Sequence, residues 1–208
     1  WEDDSEVIFD RCDPELVDDI AEQLIHGEVG SKLKVMLSGG SRNFIPTTQQ
    51  EHGVNGRRRD GRNLIDEWLA KSPSTRTYVN NRTRLMEIDT GTYEGELFGL
   101  FHSSHMNFNM DTIRLNRQDI NPTLSEMTQI AIELLSKNED GFFLLVEGAR
   151  IDHGHHGNQA RLAIDEMLQF DKAINDAIKM VDLEETLVIV TADHSHVFTY
   201  GGYPHRGN

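Results

Sequence analysis

The segment that decides the fold is residues 142–156, which read FFLLVEGARIDHGHH. It opens with five apolar residues, Phe142–Val146, in which polar and apolar side chains do not alternate. Such an uninterrupted run predicts a strand that is buried on both faces, as the strands of a parallel sheet are. The run ends in Glu147, and Asp152 and three histidines follow shortly after it. Because open α/β sheets bind ligands at the carboxyl ends of their strands, this segment predicts a metal site.

A second run of the same kind spans Leu187–Thr191, and it too ends in ligand-type residues, ADHSH at 192–196. Between the two runs, apolar residues at helical spacing predict a long helix from about Gln159 to Val181. Strand, helix and strand in this order predict a right-handed crossover and a parallel sheet. Parallel neighbours bring their carboxyl ends together, so one crevice should hold the candidate ligands Glu147, Asp152, His156, Asp193 and His194.

The chemistry of these side chains indicates a divalent metal. Carboxylate oxygens and imidazole nitrogens without a thiolate favour Zn²⁺, Mn²⁺ or Mg²⁺. The candidates are too many for one four-coordinate zinc, and sites with two metals serve phosphoryl transfer and hydrolysis. His153 and His196 are interpreted as residues that hydrogen-bond a ligand or a substrate oxygen, with a purely structural role as the alternative.

The other elements follow from local signals. Asp13 before Pro14 predicts a helix start, and Thr123 with Glu126 predicts a capping box. Further helices are expected at Leu64–Lys71 and Thr123–Lys137, and strands at Lys32–Leu37 and Thr77–Val79. Leu97–Phe101 is an apolar patch, and the basic run Arg57–Arg59 is interpreted as part of a solvated loop.

Composition limits the partners of the chain. Its 208 residues suit one domain or a large part of one, and its formal net charge is −15. Such an acidic chain is poorly suited to nucleic acid or to anionic membrane surfaces, which need clustered lysines and arginines. No apolar run approaches the roughly 20 residues of a membrane span. A first residue other than Met and no signal peptide suggest a processed or excised piece.

Two motifs resemble the animal alkaline phosphatases closely: Val146–His156 and Thr191–Phe198. The similarity continues more weakly through Asp60–Leu64 and Glu67–Lys71, so it covers almost the whole chain. The resemblance implies an α/β fold, a three-layer sandwich in which helices flank a central, mostly parallel sheet. It also implies that residues 1–208 are part of a single such domain, without the family's N-terminal and C-terminal portions.

The family resemblance implies a phosphomonoester hydrolase with two zinc ions and one magnesium ion. By motif position, Asp152 and His156 correspond to ligands of the first zinc, and Asp193 and His194 to ligands of the second. Glu147 corresponds to the magnesium ligand. In that family a serine attacks phosphorus and forms a phosphoserine, while an arginine clamps the phosphate.

Several parts of the family's machinery lie outside this chain. The nucleophilic serine and the clamping arginine correspond to positions before Trp1, and a third histidine on the first zinc corresponds to a position beyond Asn208. The sequence also has no nucleophile elbow of the Gly-x-Ser-x-Gly type. We therefore expect the middle portion of a larger enzyme, and no phosphatase activity from this portion alone.

The resemblance implies further features of the whole protein. Family members carry a calcium site to which Glu51 and the carbonyl of Phe101 correspond, but His102 and Asn121 stand where acidic ligands are usual. Cys12 resembles a half-cystine whose partner lies upstream, as in a secreted protein. Asn81 begins a glycosylation triplet, Asn81-Arg82-Thr83. Members are commonly homodimers on the cell surface with a GPI anchor, whose signal would lie outside this chain.

Two other readings remain open at this stage. One is a different two-metal hydrolase, such as a relative of the phosphodiesterases or sulfatases. The other is a binding protein without catalytic activity, in which the metals hold the structure together. Substrate profiling separates the first from a phosphomonoesterase, and the sequence upstream of Trp1 separates the second.

Overall fold

The computed structural model of the chain describes Asp13 and residues 17–196. The chain divides into two compact units: residues up to Asn80 with Glu94–His105, and Asn81–Tyr93 with the residues from Met106 onward. Cys12 and residues 14–16 of the helix predicted from Asp13 lie outside the described residues. The described part does not form that helix continuously, because residues 17–19 are not helical and the helix begins only at Ile20, after its cap Asp19. That the chain forms part of one domain stays a prediction.

The first unit contains a small parallel sheet. The strands of the chain are β1 Val35–Ser38, β2 Gln50–Glu51, β3 Val54–Asn55, β4 Arg76–Val79 and β5 Glu96–Leu100. In the sheet they run in the order β1, β5, β4, and both pairings are parallel. The central strand β5 is made by the apolar patch of the sequence, and Phe98 in it lies opposite both Met36 and Tyr78. A second, antiparallel pair joins β2 and β3.

Aromatic packing forms the core of the first unit. The ring of Phe98 meets the rings of Phe44, Trp68 and Tyr78 edge to face, with centroids 5.3, 5.5 and 5.6 Å apart. Edge-to-face contacts of this kind add to the stabilisation that burial provides. Helix α2, Leu64–Lys71, has the predicted bounds and buries Trp68 in this core. Helix α1, Ile20–His26, begins after Asp19, whose carboxylate accepts a hydrogen bond from the Glu22 N–H group at 2.9 Å.

The interpretation of the basic run Arg57–Arg59 as solvated is wrong for its middle residue. Only 4% of the Arg58 side chain is exposed, and its guanidinium pairs with Asp19 at 2.7 Å and with Asp60. Burial opposes the charge, but hydrogen bonds and attraction from these two carboxylates raise the pKa of Arg58. The sequence around Arg58 is charged, which predicted a solvated loop. Asp19, which pairs with Arg58, lies far away in sequence, so the local pattern did not indicate burial.

The second unit is helical in its described part. Its helices are α3 Arg82–Met86, α4 Asn109–Arg114, α5 Leu124–Leu135, α6 Arg150–His156 and α7 Ala160–Ile178. The long helix α7 packs against α4, α5 and α6. Both long predicted helices are confirmed, and α5 begins at the capping box formed by Thr123 and Glu126. Within the described residues, no helix is both long enough and apolar enough to cross a lipid bilayer.

The predicted strands Phe142–Val146 and Leu187–Thr191 are absent from the described structure, so the crossover inferred from them is wrong there. The Phe143 side chain is 87% exposed and the Leu187 side chain 83%. A strand buried on both faces needs hydrogen-bonded neighbours along its edges and side chains above and below it. No strand in the described part of the chain pairs with either segment. The α/β class with a parallel sheet is confirmed, although other residues form that sheet.

Candidate metal centre

Helix α6 carries two of the predicted ligands on one face. Asp152 and His156 are four residues apart, a spacing that places two side chains one above the other on a helix. The His156 Nε2 atom lies 3.4 Å from the Asp152 Oδ2 atom. The short helix thus presents a carboxylate and an imidazole together.

A glycine brings α6 close to α7. A Cβ atom on Gly154 would lie 2.8 Å from the Ala163 nitrogen and 2.9 Å from the Ala163 Cα atom, closer than side-chain carbons pack. Ala163 is itself a small, buried residue of α7. Gly154, which lies between His153 and His155, therefore allows α6 to pack closely against α7.

His196 joins the pair on α6 from a distant part of the sequence. Its Nε2 atom lies 3.3 Å from the Asp152 Oδ1 atom. The ring of His196 stands at 88° to the ring of His156, with centroids 4.7 Å apart. Asp152, His156 and His196 form a group whose ligand atoms all lie within 4.8 Å of one another.

The spacing of this group suits a zinc ion. Zinc binds nitrogen and oxygen at about 2.0–2.2 Å in a tetrahedron, which puts neighbouring ligand atoms roughly 3.3–3.6 Å apart. Each imidazole lies at such a distance from one oxygen of the Asp152 carboxylate, His156 at 3.4 Å from Oδ2 and His196 at 3.3 Å from Oδ1. The Asp152 Oδ1 atom is also buried without accepting a hydrogen bond. Buried polar atoms ordinarily form hydrogen bonds. A buried carboxylate oxygen without a hydrogen bond, beside two imidazoles, therefore fits a cation site.

The second predicted pair lies at the margin of this group. The His194 Nε2 atom is 3.9 Å from the Asp152 Oδ1 atom and 3.4 Å from the Asp193 Oδ2 atom. The carbonyl oxygen of Ser195 accepts a hydrogen bond from His194 Nδ1 at 2.9 Å, which leaves Nε2 as the metal-facing atom. This bond, with the charge of Asp193, raises the pKa of His194. The Asp193 side chain is 82% exposed.

Glu147 is exposed, and among the described residues it is not part of the metal-compatible group. Glu147, Asp193, His194 and also His196 follow the two apolar segments that lack strand partners. Their positions depend on those segments, whereas α6 is held by its contact with α7. The metal roles of the five predicted ligands stay predictions.

The sequence predicted that His196 hydrogen-bonds a metal ligand or a substrate oxygen. In the structure its Nε2 atom lies as close to the Asp152 carboxylate as the Nε2 atom of His156 does. Only its place three residues after Asp193 in the DHSH motif connected it to the site. His153 does not face the group: its Nδ1 atom lies 2.7 Å from the Arg150 Nη1 atom. Arg150 carried no role in the sequence reasoning, and nothing in its local pattern distinguished it from a surface arginine.

Calcium takes 6–8 oxygen ligands in proteins, and a calcium role for Glu51 and the carbonyl of Phe101 stays a prediction. The Glu51 carboxylate accepts hydrogen bonds from the Tyr78 hydroxyl at 2.8 and 2.9 Å and from the Asn80 amide at 3.1 Å. After the buried Phe101 comes His102, whose Nδ1 atom accepts the Ser104 N–H group. Asn121, in the second unit, is buried and uncharged. Within the first unit, Glu51 thus forms a hydrogen-bonded cluster with Tyr78 and Asn80.

The candidate glycosylation site lies at the start of a helix. The Asn81 side-chain oxygen caps α3 by accepting the Arg84 N–H group at 2.9 Å. A glycan would attach to the other side-chain atom, Nδ2, so capping and glycosylation use different atoms. Glycosylation of Asn81 stays a prediction.

The comparisons with known proteins agree with one another. A model of the alkaline phosphatase family matches residues 1–208. The membrane-bound alkaline phosphatase of Bombyx mori is 44% identical over 211 residues, covering 100% of this chain and 38% of the relative. The tissue-nonspecific isozyme of alkaline phosphatase from Homo sapiens is 41% identical over 199 residues, covering 91% of this chain and 36% of the relative. The chain thus spans less than two fifths of the length of these relatives.

Solved structures show the same similarity. The cold-active alkaline phosphatase of Shewanella sp. superposes with a TM-score of 0.55 and 28% identity, covering 76% of this chain and 31% of the other. A mutant of TAB5 alkaline phosphatase with Mg bound in its M3 site superposes with a TM-score of 0.55 and 26% identity, covering 76% of this chain and 39% of the other. Since the family model matches from the first residue to the last, this chain belongs to the alkaline phosphatase family.

Proposed function

We propose that this chain is the middle portion of an alkaline phosphatase that hydrolyses phosphate monoesters at a site with two zinc ions and one magnesium ion. The observation that carries the proposal is the group formed by Asp152, His156 and His196, whose ligand atoms lie within 4.8 Å of one another. The family match along the whole chain supports the reaction class.

The group on α6 supports the first zinc site of this proposal, and the family resemblance supports the other two metals. Asp152 and His156 would hold the first zinc, with His196 within reach of the same ion. Asp193 and His194 would hold the second zinc, and Glu147 the magnesium. When bound, the metals neutralise the charge of the phosphate and of the attacking and leaving oxygens. The structural relative with bound Mg supports the presence of a magnesium site in the fold.

The chain's own residues prepare the site. Asp152 offers its two carboxylate oxygens in different directions, one towards His156 and one towards His196. His194 donates its Nδ1 proton to a backbone carbonyl, which orients its ring and keeps Nε2 available as a ligand. The serine that forms the phosphoserine and the arginine that clamps the phosphate would come from segments outside residues 1–208.

The proposal extends to the setting of the whole protein. We place it outside the cell as a glycosylated homodimer, attached to the membrane through a GPI anchor outside this chain. Its partners would be phosphate monoesters and a second copy of itself, and its acidity argues against nucleic acid. The Bombyx mori relative is named as membrane-bound, which supports a membrane location.

A pair of substitutions in the full-length protein tests the proposed site. Asp152→Ala removes a ligand, while Asp171→Ala removes an exposed carboxylate of α7 and serves as the control. We expect Asp152→Ala to lose bound zinc and to lower aryl phosphate hydrolysis more than about 100-fold, the upper end for a residue that only supports a ligand. The Asp171→Ala protein should match the wild type.

Zinc content is measured by mass spectrometry of the dialysed proteins, and turnover with aryl phosphate mono- and diesters. A wild-type protein without zinc, or an Asp152→Ala protein with full activity, would overturn the proposal. Faster cleavage of diesters than of monoesters would point to a phosphodiesterase. The isolated 208-residue chain should show negligible turnover, because it lacks the proposed nucleophile.

A further inference from the structure

Helix α6 is too short to be stable by itself. It has seven residues, and no side chain caps its first turn. Isolated helices shorter than about 12 residues are marginal in water, so contacts with other elements must decide where α6 lies. Gly154 provides one such contact at the middle of the helix, against Ala163. The first turn needs another, and it begins with Arg150.

Arg150 stacks on an aromatic ring beside the start of α4. Its guanidinium carbon lies 3.8 Å from the centroid of the Phe108 ring. Phe108 is a buried residue that directly precedes α4. A planar cation over a ring face is attracted by the ring's electrons, and the attraction grows where water is excluded. The stack therefore ties the start of α6 to the start of α4.

The same guanidinium contacts the next turn of its own helix. The Arg150 Nη1 atom lies 2.7 Å from the Nδ1 atom of His153. A guanidinium only donates hydrogen bonds, so the His153 nitrogen accepts. This bond fixes the ring of His153, the residue directly after Asp152. The Arg150 side chain thus connects the first and second turns of α6.

Burial lowers the pKa of Arg150, and the charges of carboxylates on two neighbouring helices oppose this. Glu166 on α7 and Asp111 on α4 both attract the charge of Arg150. Glu166 also accepts the Asn109 N–H group at 2.6 Å, and Asp165 accepts the Asn109 side-chain amide at 2.9 Å. Arg150 thus lies where α4, α6 and α7 meet, and it contacts or attracts a group from each.

We propose that Arg150 is a positioning residue, which holds α6 so that Asp152 and His156 face the metal together. The part that concerns zinc rests on the proposed function, whereas the placement of α6 does not. Lysine cannot replace arginine here, because an ammonium group neither stacks as a plane nor donates in a fixed fork. The planar shape of the Arg150 guanidinium should therefore matter in addition to its charge.

Hydrogen–deuterium exchange of the metal-free, full-length protein tests the placement of α6 directly. Arg150→Gln should speed the exchange of the amides of residues 150–156, and Arg150→Lys should do so to a smaller extent. Arg161→Gln removes an exposed arginine from the first turn of α7 and should leave exchange unchanged. Unchanged exchange of residues 150–156 in both Arg150 variants would overturn the inference.

Zinc titration of the same proteins tests the consequence for the site. Arg150→Gln should weaken zinc binding about 10- to 100-fold, as loss of a residue that orients a ligand does. Phe108→Leu keeps an apolar side chain but removes the stack, and it should give a smaller loss in the same direction, which serves if Arg150→Gln does not fold. Wild-type zinc affinity in all of these variants would overturn the inference, whereas a wild-type protein that binds no zinc would overturn the proposed function.

Discussion

The strand β5 and the segment Phe142–Val146 look alike in sequence but differ in the structure. Most of β5 belongs to the apolar patch Leu97–Phe101, which, like Phe142–Val146, contains two phenylalanines and two leucines. The strand β5 has a parallel neighbour on each edge, and Phe98 in it is 1% exposed. Phe143 is 87% exposed, and no described strand pairs with its segment. An apolar run therefore becomes a buried strand only where other parts of the chain provide neighbouring strands at its edges and side chains over its faces.

The largest effect should come from truncating Phe98, with the same truncation of Phe143 as its comparison. Phe98→Ala in the 208-residue chain should lower the free energy of unfolding by about 3–5 kcal/mol, because it empties a site among three aromatic rings. Phe143→Ala should change it by no more than about 0.5 kcal/mol, as at other exposed positions. Urea unfolding followed by circular dichroism measures both.

Phe98→Ala and Phe143→Ala can also be measured in the full-length protein. If additional strands cover Phe142–Val146 there, the cost of Phe143→Ala rises towards that of Phe98→Ala. Equal costs for the two substitutions in the 208-residue chain itself would contradict the exposure difference described above.

A smaller effect is expected at the contact that holds α6. Gly154→Ala should destabilise the chain by about 1–3 kcal/mol, because the added Cβ atom meets the backbone of Ala163 at 2.8 Å. Gly157→Ala is the matched control: its Cβ atom would be no closer than 3.4 Å to a flexible Gln159 side chain. Thermal unfolding of both variants measures the difference, and equal melting temperatures would show that α6 does not lie against α7.

The smallest effect concerns pH and the ion pairs of the first unit. Hydrogen bonds from Arg62 lower the pKa of Glu67 to about 2; burial opposes this, and a bond with His26 adds to it. Because the pKa is lower in the folded state than in the unfolded state, the carboxylate stabilises the chain above about pH 4.5. That stabilisation disappears as the pH falls towards 2.

Solvent screening limits the contribution of Glu67 to about 1 kcal/mol. Glu67→Gln should therefore lose stability relative to the wild type at pH 6 but not at pH 2. Glu28→Gln changes an exposed carboxylate and should track the wild type at both. Urea unfolding at the two pH values makes the measurement, and a difference between Glu67→Gln and the wild type that does not change with pH would contradict the expected linkage.

Local signals in the sequence predicted the helices well. The capping box at Thr123 and the apolar spacing within 159–181 describe interactions between residues close in sequence, and α5 and α7 form as predicted. Burial could not be predicted in the same way. Arg58 looked solvated and is buried, because its carboxylate partner Asp19 lies in another part of the chain.

The candidate site shows the same division. The sequence predicted Asp152 and His156 as ligands of one metal, but it did not predict α6, which places them about one helical turn apart. His196 reached the same group through the tertiary fold, and Arg150 gained its contacts with Phe108 and His153 only there.

By itself, the sequence determined which residue types are available for metal binding and where the helices α2, α5 and α7 form, because both depend on side-chain chemistry and short-range spacing. It also carried the two motifs that identify the family. Only the tertiary structure decided that His196 lies beside Asp152, that Arg150 braces α6, and that β5 rather than Phe142–Val146 forms the buried strand. The physical reason is that burial and convergence depend on residues far apart in sequence, which local patterns do not specify.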